Sequence, residues 1–100
     1  MSDIDRINEL VGNKEFEEAK KLLEQVLAAE PENVEILKLA GLTAVNLEEW
    51  TNGIKYFETV VKYEQEDATS WFYLGNCYDQ VGSFVRAKNA YIKVIDLRNG

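Results

Sequence analysis

Three aromatic residues, Phe16, Trp50 and Phe84, stand 34 positions apart, and the interval recurs along the chain. Ala19, Gly53 and Ala87 form a column of small side chains in the same register. Leu23, Phe57 and Tyr91 form a column of large apolar ones, and Val26, Val60 and Val94 are identical. Gly41 and Gly75 keep the interval, as do Leu37 and Trp71. Six columns in a single register are not coincidence. A period of this length means one supersecondary unit used repeatedly, each copy unable to bury its apolar face alone and therefore stacked on its neighbours. The 100 residues divide into three such units, 1–33, 34–67 and 68–100, within a single domain.

Each unit reads as two helices. In the last, Trp71, Leu74, Gly75 and Tyr78 fall at i, i+3, i+4 and i+7, which is one helical face. Asp67 stands where an N-cap belongs, and Val81-Gly82-Ser83 breaks the pattern. Ser83 is then the expected cap of a second helix whose apolar face carries Phe84, Ala87, Tyr91, Val94 and Ile95. The middle unit opens after Pro31-Glu32-Asn33; its second helix follows Asn46-Leu47-Glu48-Glu49, an Asn-x-x-Glu arrangement of the capping-box kind. The first unit has a shortened opening helix, about Asp3 to Val11, and a second from about Lys14 to Ala29. The expected fold is all-α, with six antiparallel helices and no segment that alternates with period two.

These columns resemble the tetratricopeptide repeat, a helix–turn–helix unit with the pattern W-x2-L-G-x2-Y, then A-x3-F and a late proline. The third unit carries Trp71, Leu74, Gly75 and Tyr78, then Ala87 and Tyr91. The middle unit is looser, with Leu37, Ala40, Gly41 and Ala44, then Gly53 and Phe57. The first keeps Ala19, Leu23 and Pro31 but has Ile7 at the small position of its opening helix. The resemblance implies a right-handed superhelix, an α-solenoid, in which Gly41 and Gly75 let paired helices approach closely. Bulky replacements there would overpack the contact, at about 1–3 kcal/mol.

In this family the first helix of each unit lines a concave groove that holds a peptide or a partner helix. Projected onto this chain, the groove residues are Asn8, Val11, Glu35, Lys38, Leu42, Val45, Asn46, Thr69, Phe72, Tyr73, Asn76, Asp79 and Gln80. Asn76 has the amide donors and acceptor to pair with the backbone of an extended peptide, and Phe72 is an aromatic anchor on a polar side. Heat-shock cochaperones of the family clamp a C-terminal carboxylate with two lysines, two asparagines and an arginine. Here the corresponding positions hold Ile4, Asn8, Leu39, Thr69 and Tyr73, so all three cations are missing and a chaperone C-terminal peptide is not the expected ligand.

Composition narrows the remaining choices. The net charge is −7, with 18 acidic and 11 basic residues, which argues against nucleic-acid binding. The acidity is confined to residues 1–50, where 12 acids face 5 bases; residues 51–100 hold 6 of each. No apolar run reaches membrane-span length and no signal peptide opens the chain, so a cytoplasmic domain is expected. Histidine is absent and Cys77 is the single cysteine, mid-helix and expected to be buried and inert. No catalytic site, metal site or cofactor is expected. An alternative to groove binding is self-association, as a homodimer or as a fragment of a longer array. It would use an exposed face of the last helix formed by Ala90, Tyr91, Val94, Ile95 and Leu97.

Overall fold

Six helices account for the sequence periods one by one, in a computed structural model that describes residues 2–100. They are α1 (Asp3–Gly12), α2 (Phe16–Ala29), α3 (Val34–Asn46), α4 (Trp50–Tyr63), α5 (Ala68–Gln80) and α6 (Phe84–Asn99), and among the described residues there is no strand. Each helix packs on the next in the chain, and α3 also touches α5. First helices therefore share one wall and second helices the other, the arrangement of a helical repeat. The molecule is elongated, 39 × 26 × 23 Å.

Two kinds of connection recur. Within a unit, the turn places one residue in the left-handed backbone region: Lys14 (φ 60°), Glu48 (φ 58°) and Gly82 (φ 80°), again 34 apart. Each turn is closed by the same backbone bond, Glu15 N–H to Leu10 C=O (2.8 Å), Glu49 to Ala44 (2.8 Å) and Ser83 to Tyr78 (2.9 Å). This is a Schellman closure, which satisfies the last carbonyls of the first helix. Between units, a side chain caps the next helix. Asn33 accepts from Ile36 N–H at 3.2 Å and Asp67 from Ser70 N–H at 3.4 Å. At α1, Ser2 and Asp5 form a reciprocal capping box.

Two expected caps are absent. Asn46 belongs to the end of α3, where its amide donates to the Leu42 carbonyl, and the N-cap of α4 is Glu49, which makes no side-chain cap bond. The Glu49 carboxylate is held instead by Lys20 at 2.8 Å and Asn52 at 3.2 Å. Ser83 occupies the N-cap position of α6 but its side chain caps nothing. At both places the Schellman turn fixes the chain's entry into the second helix.

The core forms two clusters. One gathers Ile7, Leu10, Ala19, Leu23, Ile36 and Ala40; the other gathers Phe57, Val61, Leu74, Tyr78, Ala87 and Ala90. Glycines sit where paired helices nearly touch. A Cβ on Gly41 would lie 2.6 Å from Phe57 Cζ, and one on Gly75 2.7 Å from Tyr91 Cε1. Gly53 serves a contact between units, since its Cβ would lie 2.8 Å from Cys77 Sγ. A mid-helix glycine costs about 1 kcal/mol relative to alanine, and this crossing between α4 and α5 is the reason it stands there.

Candidate functional site

The wall made by α1, α3 and α5 carries the positions projected for a groove, and the best-organised of them lie on α5. A chain of rings runs there from core to surface. Buried Phe57 stacks on Tyr73 at a centroid distance of 5.5 Å and 14° between planes. Phe72 meets Tyr73 edge-on at 5.9 Å and leans against Tyr91 at 6.1 Å. Phe72 is nevertheless 43% exposed. Ring–ring contact of this geometry holds the side chain in place without hiding it.

Beside it, the Tyr91 hydroxyl lies 2.7 Å from Asn76 Oδ1 and 2.9 Å from Asp79 Oδ2. One phenol proton is thus shared between two acceptors of α5. Burial, then the Asp79 bond, pushes the Tyr91 phenol up to about 12, so the proton stays in place at neutral pH. The bond fixes the Oδ1 edge of the Asn76 amide and leaves the Nδ2 donors uncommitted to Tyr91. Tyr91 thereby ties Asn76 and Asp79 of α5 to α6. From sequence, Tyr91 falls both on the apolar face of α6 and in that helix's exposed outer face; the structure brings its ring against Gly75.

The other projected positions differ among themselves. Asn8, Glu35, Thr69, Asp79 and Gln80 are exposed; Val11, Leu42 and Val45 are half-buried. Asn46 is exposed, with one of its two amide hydrogens given to the Leu42 carbonyl. Lys38 is committed as well, with its ammonium 2.6 Å from Glu64 and 2.9 Å from Asp67 in the connection before α5. Bonds to Glu64 and then Asp67 raise its pKa. Burial pushes the Asp67 carboxyl up, but bonds from Lys38 and Ser70 outweigh it and hold Asp67 below the usual carboxylate range. Lys38 is therefore not a free cation in the groove.

The far side of α6 departs from expectation. Ala90 and Val94 are buried and Leu97 is half-buried, because they face α5. Of the expected outer face only Ile95 is freely exposed, joined by Phe84, Val85 and Ile92. On sequence alone Phe84 and Ile95 both belong to the apolar face of the helix, and Ile95 to its exposed outer face as well. They occupy columns that are covered in earlier units by the unit that follows. Cys77 is fully buried and burial pushes its thiol up to about 11, which leaves no thiolate at neutral pH. No helix among the described residues is long and apolar enough to cross a membrane.

Comparison with known proteins places this architecture. No curated protein sequence matches the chain. Among solved structures, a double mutant of MamA from strain RS-1 superposes with a TM-score of 0.89 at 24% identity, over 97% of this chain and 55% of that one. MamA from residue 41 to its end, from Desulfovibrio magneticus RS-1, gives 0.87 at 24% identity, over 97% and 55%. The second tetratricopeptide-repeat domain of Spaghetti (RPAP3), bound to the HSP90 peptide SRMEEVD, gives 0.87 at 16% identity, over 95% of this chain and 88% of that one. The chain thus spans about half the length of the MamA chains, and the likeness to all three is one of fold. The sequence profile described as Tetratricopeptide repeat matches residues 4–54 and 38–98, nearly the whole chain. With 34-residue columns, paired helices and glycine crossings in one register, the protein belongs to the tetratricopeptide-repeat family.

Proposed function

We propose that the protein is a non-catalytic adaptor whose α1–α3–α5 wall binds a peptide or a partner helix. Phe72 carries this reading: an aromatic side chain 43% exposed, held by two neighbouring rings, next to an asparagine amide with one edge fixed. Rigid aromatic anchors flanked by directional polar groups are what binding hot spots are made of. Leu42 and Val45 extend the apolar strip on α3, and Thr69 and Gln80 flank it on α5. A cytoplasmic setting fits the free, buried Cys77.

Charge narrows the ligand further. Glu35 and Asp79 are exposed on this wall while Lys38 is neutralised by Glu64 and Asp67. The groove therefore favours a neutral or basic segment over an acidic one. An acidic peptide such as the one bound by the RPAP3 domain would meet carboxylates here with no free cation to pair with.

Affinity capture from the source lysate tests the reading. Wild type and a Phe72→Ala/Asn76→Ala variant are compared by mass spectrometry after circular dichroism shows both folded. A basic or neutral partner retained by wild type and lost from the variant supports the groove. Identical capture by both sinks it.

A further inference from the structure

The two junctions between units are built alike but filled differently. Their connections match bond for bond: Asn33 N–H donates to Glu30 C=O at 3.2 Å in the first, and Asp67 N–H to Glu64 C=O at 3.2 Å in the second. Pro31 and Gln65 hold equivalent places within them. At the second junction Trp71 of α5 packs against the second core cluster, and its indole N–H donates to the Gln65 carbonyl at 2.9 Å. At the first, the column of Trp71 holds Leu37, which has no donor to offer. Among the described residues the Pro31 carbonyl accepts no hydrogen bond.

A cleft of about 290 Å³ opens at this place. Leu27, Leu37 and Tyr56 line it inside, while exposed Glu24, Ala28, Pro31 and Lys55 surround its mouth together with Thr59. Tyr56 stands in the column of Ala90 and packs on the first core cluster. It takes back the inner part of the space that Trp71 uses at the other junction, so the part left open is the outer one, beside Pro31. The mouth is open because its residues are short. Ala28 and Thr59 stand in the columns of Lys62 and Lys93.

Size and chemistry select the occupant. The volume lies at the low end for ligand sites and takes one or two fused rings, not a helix. The inner walls are aliphatic apart from Tyr56, whose ring offers an aromatic surface. Glu24 and Lys55 supply one charge of each sign, and among the described residues neither is in an ion pair. The mouth therefore carries no net charge to draw in a small anion or cation. A neutral ring with one N–H donor meets all of these conditions. The molecule itself presents such a ring from a polypeptide at the equivalent junction.

We propose that the cleft between the first and second units binds the indole of a tryptophan side chain on a partner protein. The ring lies against Leu37 and Tyr56 and donates its N–H to the Pro31 carbonyl. The site uses none of the groove residues and gives the protein a second point of contact.

The probe is N-acetyl-L-tryptophanamide, a neutral indole on a peptide-like backbone, titrated into the isotope-labelled protein and followed by amide shifts in NMR. Saturable shifts are expected at Ala28, Glu32, Leu37, Tyr56 and Thr59, and none at Phe72 or Asn76. N-acetyl-L-phenylalaninamide lacks the donor and should bind about threefold more weakly, or worse. Ala28→Lys installs the residue of the second junction across the mouth and should weaken binding at least about tenfold. Thr59→Lys should act in the same direction, and Phe72→Ala/Asn76→Ala should leave affinity unchanged. Absence of saturable shifts overturns the proposal, as does full affinity in the lysine variants, shifts centred on Phe72, or equal binding of the phenylalanine analogue. Tighter binding of free L-tryptophan than of the amide also overturns it, by making the zwitterionic amino acid, held between Glu24 and Lys55, the ligand. Should Ala28→Lys fail to fold, Thr59→Lys decides the matter.

Discussion

Gly41 and Gly75 hold corresponding places in the second and third units, and each admits an aromatic ring to the same depth. The rings differ by one oxygen. Phe57 is buried, stacked on Tyr73, and bonded to nothing polar. Tyr91 is half-buried, and its hydroxyl reaches Asn76 and Asp79 on the groove side of α5. The second unit thus uses the column for packing alone, while the third uses it to pack and to hold Asn76 and Asp79 of α5. A repeat can gain a polar contact between its helices without altering its fold, by adding a polar tip to a ring that packing already holds.

Truncation separates the two rings most strongly. Phe57→Ala removes a fully buried ring at the centre of the second cluster and should cost about 3–5 kcal/mol, a large share of the stability of so small a domain. Tyr91→Ala should cost less, about 2–3 kcal/mol, because part of its ring is already in water. Urea denaturation of both variants checks the order, and equal losses would remove the distinction drawn here.

Filling the crossings comes next. Alanine at Gly41 or Gly75 gains about 1 kcal/mol of helix propensity but must displace a ring atom under 3 Å away. Phe57 is buried and stacked on Tyr73, so Gly41→Ala should lose about 1–2 kcal/mol net. Tyr91 can give way toward the groove, so Gly75→Ala should be milder in stability and harsher on groove binding. At Gly53 the obstacle is a single sulfur. The cycle of Gly53→Ala and Cys77→Ala should therefore be non-additive, the double variant being more stable than the sum of the two losses implies.

Tyr91→Phe makes the third unit resemble the second. It should cost about 0.5–1.5 kcal/mol in lost hydrogen bonding and release the Asn76 amide. A pH signature accompanies it. The phenol is raised to about 12 in the fold, by burial first and then by Asp79, against about 10 in an unfolded chain. The folded form keeps a proton that the unfolded form sheds, so this stabilisation is complete below about pH 10 and is lost as pH rises toward 12. Comparing urea midpoints at about pH 9 and about pH 11.5, the fall should be shallower for Tyr91→Phe than for wild type.

The architecture was legible because packing obeys the 34-residue register: every column that faces a neighbour must repeat, and residue type alone exposes it. The groove was legible only as a list of positions. Phe72 and Asn76 stood out by side-chain type, but the hold of Tyr91 on Asn76 and the commitment of Lys38 to Glu64 and Asp67 depend on contacts between elements. The outer strip of α6 was legible only in part, with Ile95 exposed as expected but Ala90 and Val94 buried, for a related reason. Phe84 and Ile95 match Trp50 and Val61 in type, yet burial of those columns comes from the unit that follows, a fact of position and not of composition. The capping-box motif at Asn46 failed because the Schellman turn had already fixed the entry to α4.

That turn also supplies the smallest and cleanest test of the comparison between units. The closing bond is the same in all three, and so is the left-handed residue, yet Gly82 occupies it in the third unit and Glu48 in the second. An L side chain in this region crowds Cβ against the following carbonyl at about 1–2 kcal/mol, a penalty glycine escapes. Glycine also enlarges the conformational freedom of the unfolded chain, which offsets part of the relief. Glu48→Gly should accordingly stabilise the protein by about 0.5–1 kcal/mol, whereas Gly82→Glu should destabilise it by a similar or larger amount. Glu48 is exposed and its side chain makes no hydrogen bond among the described residues, so packing does not confuse the reading. A loss of stability in Glu48→Gly would mean that the second unit's turn differs from the third's in more than its side chain, and the equivalence of the two units would end at their helices.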